Sequence, residues 1–217
     1  VETHGEGAAV SLRNIHLKIM PGEIVGVAGV SGNGQRELGD AVLGIEKCTR
    51  GEKFLAGKNA THWSVGQART SGVAFIPENP LGLATIPWLS IRENIALGDL
   101  RRYARRGGLA LDWQAAQSDA VQAYGKLGLS SPPLDTPARS LSGGNVQRLV
   151  LARELGLDPQ LIVALYPTRG LDVPSTNAAQ RALVAARDAG AGVLLISEDL
   201  GELFALSDRL IVMYRGA

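Results

Sequence analysis

The sequence predicts an α/β fold with a parallel sheet core, an antiparallel N-terminal hairpin and an inserted helical subdomain. Short apolar runs that fit buried strands alternate along the chain with stretches of helical apolar spacing. Alternation of this kind indicates a parallel sheet covered by helices on both faces. Glycine-rich and polar segments follow several of the predicted strands, at the carboxyl ends where such sheets bind ligands.

The composition fits one domain with an inserted lobe, with the core at about residues 1–77 and 157–217 and the helical lobe at about 78–156. No apolar run approaches the ~20 residues that span a bilayer, and the N-terminus does not resemble a signal peptide, so we expect a cytoplasmic chain. The formal net charge of +1 gives no field that would attract nucleic acid. The single Cys48 excludes an internal disulfide, and the scattered histidines favour no metal site.

The N-terminal part contains a candidate phosphate loop. Alternation of Ile15, Leu17 and Ile19 with polar residues predicts a strand that forms a hairpin with the buried run 24–28. The segment Gly29-Val30-Ser31-Gly32-Asn33-Gly34-Gln35-Arg36 follows, and a helical pattern begins after it. A glycine loop in this context exposes backbone N–H groups that bind phosphate. An ordinary strand-to-helix turn explains the glycines about equally well, so both interpretations stay open at this point.

The middle of the chain is predicted to be mainly helical. Ser90 and Glu93 form a capping box for a helix that reaches Leu97, and Asp112 caps a helix that runs to about Tyr124. Between these helices lies a basic cluster, for which a solvated surface is favoured over a contact with a protein or membrane. The cluster consists of Arg101, Arg102, Arg105 and Arg106.

The segment Leu141-Ser142-Gly143-Gly144-Asn145-Val146-Gln147-Arg148 begins a further helix. Ser142 can cap this helix, the glycines allow a ligand to approach the backbone, and the helix dipole favours an anion. Alone, such a segment is more often a structural turn. A buried strand is predicted after it at 161–165, further strands are predicted at 193–196 and 210–213, and a helix is predicted from Pro174.

The order and spacing of these motifs resemble the nucleotide-binding domain of an ABC transporter, a P-loop NTPase with a RecA-like core. Segment 29–36 corresponds to the phosphate loop, Glu78 to the glutamine-loop position, Leu141–Gly144 to the signature and Gly170–Asp172 to the D-loop. The finer pattern is similar to the second half of the tandem ATPases of bacterial simple-sugar and nucleoside importers, with the nucleoside branch favoured. This resemblance implies a domain cut from a longer subunit.

Several positions depart from the catalytic pattern of this family. Phosphoryl transfer depends on positioning and charge neutralisation, and a tyrosine hydroxyl cannot take a proton from water at neutral pH as a carboxylate can. Segment 1–9 also offers no aromatic residue on which adenine could stack. We therefore expect this chain alone to be a weak or inactive ATPase whose own loop binds nucleotide poorly. The departures are Gln35 for the lysine, Arg36 for the magnesium-binding hydroxyl, Glu78 for glutamine, Leu165 for the Walker B aspartate, Tyr166 for the catalytic glutamate and Glu198 for the switch histidine.

In this family two domains enclose ATP between the phosphate loop of one and the signature of the other. The resemblance implies a degenerate site in this chain, formed by Gly29, Ser31, Gly32, Asn33, Gly34, Gln35, Arg36 and Glu78. It also implies that the chain contributes to the ATP site of a partner half. The contributing residues would be Leu141, Ser142, Gly143, Gly144, Asn145, Gln147 and Asp172.

The expected partners are a second ATPase half in a head-to-tail ATP sandwich and transmembrane permease subunits, with no nucleic acid. Mg²⁺ would bind only through the site of the partner half, and the chain would lie at the cytoplasmic face of the membrane. One alternative is a stand-alone ATPase, which the substitutions disfavour. Another is an ABC protein outside transport that binds ribosomes or DNA, which the modest net charge disfavours.

Overall fold

The computed structural model describes residues 1–4 and 10–217. Segment 1–9 is the one predicted to offer no aromatic residue for adenine stacking. Residues 5–9 of this segment lie outside the described range. The strands are Glu2–Thr3 (β1), Ile24–Ala28 (β2), Cys48–Arg50 (β3), Phe54–Leu55 (β4), Lys58–Asn59 (β5), Val73–Ile76 (β6), Ala104–Arg105 (β7), Ala110–Leu111 (β8), Leu161–Leu165 (β9), Gly192–Ile196 (β10) and Arg209–Val212 (β11). The α-helices are Gln35–Leu43 (α1), Val65–Thr70 (α2), Pro80–Leu83 (α3), Ile91–Ala96 (α4), Leu100–Tyr103 (α5), Trp113–Lys126 (α6), Gly143–Leu155 (α7), Val173–Asp188 (α8) and Leu200–Leu206 (α9).

These elements form two compact units. The core unit comprises Val1–Phe75, Pro159–Tyr166 and Arg187–Ala217. The helical unit comprises Ile76–Asp158 and Pro167–Ala186.

The main sheet has five strands in the order β11-β2-β10-β9-β6. The pairings of β10 with β2 and β9, and of β11 with β2, are parallel. Every residue of β2 and β10 is buried, as expected for strands that are covered on both faces. The predicted parallel sheet core is therefore present.

The hydrophobic core of this unit lies between α1 and the sheet. Leu38 and Ala41 of α1 share a buried cluster with Val163, Leu165 and other strand residues. Gly39 lets the helix approach closely, since a Cβ atom there would lie 2.9 Å from Leu165 Cδ2. Close packing of this helix fixes the start of α1 relative to the carboxyl end of β2.

The predicted N-terminal strand over residues 15–19 is not found, because this segment forms no ladder with any described strand. The backbone of Ile15 instead bonds to the chain terminus, with its N–H donating to Val1 O at 3.0 Å and its carbonyl accepting from Val1 N at 2.6 Å. Ile15, Leu17 and Ile19 still pack against the core cluster, so the alternation predicted the buried face correctly. The antiparallel pairing near the N-terminus joins β1 to β3 instead.

The helical unit is organised around α4, α6 and α7, which share a buried cluster that includes Ile91, Ala120 and Leu149. The predicted caps are present. Ser90 N donates to Glu93 Oε2 at 2.7 Å while Ser90 Oγ accepts from Glu93 N at 3.4 Å, which completes the capping box of α4. Asp112 Oδ1 accepts from Ala115 N at 2.9 Å at the start of α6.

Two arginines of the predicted basic cluster form ion pairs. Arg102 Nε lies 2.6 Å from Asp119 Oδ2, and Arg105 pairs with Asp112. The side chain of Arg106 lies outside the described part of the structure. Paired and exposed arginines fit a solvated surface. None of the helices within residues 1–4 and 10–217 has both the length and the apolar character that crossing a membrane requires.

Candidate functional site

The candidate phosphate loop connects β2 to α1. Gly32 and Gly34 have φ values of 83° and 104°, a region that L-residues with side chains rarely adopt. Gly34 occupies the N-cap position of α1 and provides no side chain to cap the helix. The first backbone N–H groups of α1 therefore depend on other partners, as they do in loops that bind phosphate.

The side chain of Gln35 bonds to the loop itself. Gln35 is only 2% exposed, its Oε1 accepts from Asn33 N at 3.1 Å, and its Nε2 donates to Val30 O at 3.1 Å. A Cβ atom at Gly29 would lie 2.4 Å from Gln35 Nε2, so the glycine leaves room for this amide. One backbone N–H that could bind phosphate is therefore already occupied by a residue of the same loop.

A second set of contacts anchors the loop to the turn after β11. Asn33 Oδ1 accepts from Arg215 N at 2.8 Å, and Asn33 O accepts from Gly216 N at 2.9 Å. A Cβ atom at Gly34 would lie 3.1 Å from the Cα atom of Gly216. These contacts join Asn33 and Gly34 of the loop to the turn that follows β11.

Arg36 lies exposed at the start of α1, at the position of the magnesium-binding hydroxyl. Its Nε is 3.9 Å from Asp40 Oδ2, one helical turn along. Burial raises the pKa of Asp40, and the nearby Arg36 acts against this shift. A guanidinium at this position repels a divalent cation and offers no oxygen ligand.

The strand ends beside the loop also lack catalytic groups. Leu165 is 4% exposed and belongs to the hydrophobic core cluster, so the Walker B position is apolar. Tyr166 has a φ of 47°, in the left-handed region, and its N–H donates to Ile196 O at 2.7 Å. Glu198 is exposed, and the neighbouring Asp199 caps α9 through Glu202 N at 3.2 Å. The residues at the end of β9, Leu165 and Tyr166, thus carry no carboxylate, and Glu198 after β10 is exposed.

The signature segment, in contrast to the phosphate loop, is exposed at the start of its helix. Ser142 caps α7 by accepting from Asn145 N at 3.4 Å, as the sequence predicts. Ser142 and Gly143 are exposed, and nothing lies within 4 Å of where a Cβ atom on Gly143 would be. The open start of a 13-residue helix presents N–H groups and a positive dipole end, which suit an approaching anion.

The signature helix also contacts residues 167–172 of the same unit, called here the D-loop segment because they contain the D-loop. The buried Gln147 donates from Nε2 to Pro167 O at 2.7 Å. Gly144 faces Ser175, because a Cβ atom at residue 144 would lie 2.2 Å from Ser175 Oγ. Ser175 N in turn donates to Asp172 Oδ1 at 2.7 Å, and this bond keeps the pKa of Asp172 low.

Glu78, at the glutamine-loop position, forms an ion pair with the D-loop segment. Its Oε2 lies 3.6 Å from Arg169 Nη1. The glutamate side chain is therefore held by a cation of its own unit.

Comparison with known proteins decides the family. The family model for "ABC transporter" matches residues 12–168. The chain belongs to the ABC transporter family. Residues 12–168 include both the loop and the signature described above, so the two motifs lie in the part of the chain that carries the family match.

Its relatives among curated ABC proteins are ATP-binding proteins of import systems. The chain is 40% identical to the glucose import ATP-binding protein TsgD13 of Haloferax volcanii, covering 95% of the chain and 38% of that protein. It is 35% identical to the ribose import ATP-binding protein RbsA 1 of Rubrobacter xylanophilus (100% and 43%) and 36% identical to the guanosine import ATP-binding protein NupO of Bacillus subtilis (95% and 40%). The chain thus spans about two fifths of the length of the relatives that it matches.

Solved ABC cassettes share the fold. A dimeric structure of the ATP-binding cassette MJ0796 with ADP and Pi, in a post-hydrolysis state, superposes with a TM-score of 0.81 at 25% identity and covers 99% of this chain and 92% of that chain. A nucleotide-free cassette from an ABC transporter gives a TM-score of 0.82 at 20% identity, covering 99% and 86%. The predicted fold class is confirmed.

The predicted site residues divide between the two units of this ABC cassette. The core unit holds the loop residues with Leu165, Tyr166 and Glu198. The helical unit holds Glu78, the signature residues and Asp172. Sequence reasoning did not single out Ser175 or Arg169, whose roles depend on contacts with distant residues. Apart from its place beside the D-loop aspartate, nothing in the sequence marks Ser175.

Proposed function

We propose that this chain is the degenerate second half of a tandem ATPase that drives import of nucleosides or simple sugars. In this proposal the chain is a single ABC nucleotide-binding domain that supplies its signature to ATP bound by the partner half. One contrast supports the proposal most directly. The phosphate loop is occupied by its own Gln35 amide, whereas the start of the signature helix at Ser142 and Gly143 is open.

The loop of this chain is an unfavourable ATP site for two reasons. A phosphate would have to displace the Gln35 amide from Asn33 N, and no lysine would then neutralise its charge. Loss of an electrostatic stabiliser of this kind typically costs about 3 kcal/mol in the transition state. Leu165 and Tyr166 also provide no carboxylate for Mg²⁺ or for activation of water. Mg²⁺ would therefore bind in the site of the partner half.

The signature retains what a γ-phosphate contact requires. Ser142 is exposed beside the helix start, and Gly143 leaves the approach to the N–H groups unobstructed. Asp172 is exposed and ionised, which suits a residue that crosses to a partner. The partner half would contribute the lysine, the magnesium ligands and the catalytic glutamate.

The names of the relatives support a proposal for the transported solute. Their names specify import of glucose, ribose and guanosine, so we propose a sugar or nucleoside as solute. The lobe at about residues 78–156 would couple to transmembrane permease subunits at the cytoplasmic face of the membrane. The chain spans about two fifths of the relatives, which leaves room for a partner ATPase half in the same polypeptide.

The test compares two variants in the full-length subunit assembled with its permease. Gly143→Asp should abolish both uptake and ATPase activity, because a carboxylate about 4 Å from the γ-phosphate adds a repulsion on the order of 4 kcal/mol per charge pair at an effective dielectric near 20. Tyr166→Phe alters only the degenerate site, so both activities should stay near those of the wild type. Normal function of Gly143→Asp together with an inactive Tyr166→Phe would show that the roles of the two sites are reversed.

A further inference from the structure

Inside the helical unit, the signature helix α7 contacts both the D-loop segment 167–172 and the first turn of α8. The first contact is the bond from Gln147 Nε2 to Pro167 O at 2.7 Å, where Gln147 is only 2% exposed and Pro167 is also buried. A carbonyl buried in this way has no ready access to water, so the amide is its evident donor. Removing the amide would leave a buried acceptor unpaired, which is unfavourable.

The second contact is steric. A Cβ atom at Gly144 would lie 2.2 Å from Ser175 Oγ and 3.0 Å from Ser175 Cβ. Only glycine therefore lets the start of α7 approach the first turn of α8 as closely as it does. Ser175 N also donates to Asp172 Oδ1, so the residue that faces Gly144 also holds the D-loop aspartate.

These contacts link the two segments that would reach the partner half. The signature would contact the ATP of the partner, and Asp172 would cross the same interface. We propose that Gln147 and Gly144 fix the position of the D-loop relative to the signature, so that both segments reach the site of the partner as one rigid element. Gln147 is then a positioning residue that acts through Pro167 O and does not touch nucleotide. This inference rests on the function proposed above.

The main test is Gln147→Met, which keeps the side-chain length and removes the donor. Gln117→Met makes the same chemical change at an exposed position of α6 and serves as the control. Amide exchange of peptide 167–176 is measured in the full-length subunit, and kcat and KM for ATP are measured in the assembled transporter. We expect exchange of this peptide to become roughly tenfold faster, since one buried hydrogen bond is lost. We expect kcat to fall by a similar factor with KM unchanged, because nucleotide contacts remain intact.

A purely structural role of Gln147 would change KM together with kcat, and that result would contradict the proposal. Unchanged exchange of peptide 167–176 would show that the link does not exist, whatever the function of the chain. Faster exchange with normal kcat would show that the link exists and is not used. The Gly143→Asp result is independent of both outcomes, so failure of this inference can be distinguished from failure of the proposed function.

A second pair of variants covers the case in which Gln147→Met does not fold. Gly144→Ala should reduce kcat, and adding Ser175→Gly should restore much of it, because the atoms that the new methyl group meets at 2.2 and 3.0 Å are then absent. Ser175→Gly keeps the N–H that bonds to Asp172 and removes only the additional bond from the Ser175 hydroxyl. Equal loss of kcat with and without Ser175→Gly would overturn the steric part of the proposal.

Discussion

The bonds of Gln35 inside its own loop predict a large loss of stability when the amide is replaced by an apolar group. Gln35→Met keeps the length of the side chain and removes both hydrogen bonds. Val30 O retains a second donor, Asn33 Nδ2 at 2.8 Å, so only Asn33 N–H loses its partner. Two lost bonds at about 1 kcal/mol each give an expected decrease of about 2 kcal/mol in the free energy of unfolding.

Urea and thermal unfolding of the 217-residue chain, followed by circular dichroism, measure this effect. For a chain of this size, 2 kcal/mol corresponds to a decrease in Tm of about 4–8 °C. Gln117→Met, at an exposed position, should change the free energy of unfolding by less than about 0.5 kcal/mol. If the Gln35 variant is as stable as the Gln117 variant, the amide does not hold the loop and the argument for an occupied phosphate site fails.

Two further predictions concern the start of α1. Neither the wild-type chain nor Gln35→Lys should hydrolyse ATP above background in a phosphate-release assay. Arg36 still occupies the magnesium position in both, and Tyr166 provides no base. Recovery of turnover by this single change would mean that the loop is misaligned with the family. Asp40→Asn should raise the free energy of unfolding at pH 7, since burial of the charged Asp40 is unfavourable. The folded-state pKa of Asp40 is raised, so the stability difference should shrink as the pH falls through that pKa towards the usual 3.8. A difference that does not depend on pH would contradict this explanation.

Local signals allowed much of the fold to be predicted. The caps at Ser90, Asp112 and Ser142 each depend on residues within three positions, so the sequence contains all that determines them. The signals for the buried strands β2, β9 and β10 are equally local, because a short apolar run between turn residues is typical of a buried strand. The strand predicted at 15–19 failed because alternation determines which side chains are buried and does not provide a neighbouring strand.

The candidate site was harder to predict because its contacts connect distant residues. The sequence shows that Gln35 departs from the lysine of the family pattern and that Gln147 lies in the signature segment. The hydrogen bonds of both side chains depend on where the carbonyls of Val30 and Pro167 point, which the sequence does not show. The pair Glu78–Arg169 joins two segments that are separated by the whole signature helix. Resemblance to the family places the loop and the signature in the sequence but does not give these contacts. The three-dimensional structure is needed to see that the Gln35 amide bonds to the backbone of the phosphate loop, while the start of the signature helix is exposed.

The anchoring of Asn33 to the turn after β11 has a consequence for the order of folding. Asn33 and Arg215 are separated by 182 positions, so the contact closes a loop that contains most of the chain. Contacts of such long range form late, after nearby elements have already condensed. During synthesis, β2 and α1 emerge from the ribosome long before residues 215–216 become available to bond with Asn33. The final shape of the phosphate loop is therefore set only when β11 joins the sheet, although Asn33 is made 182 positions before Arg215.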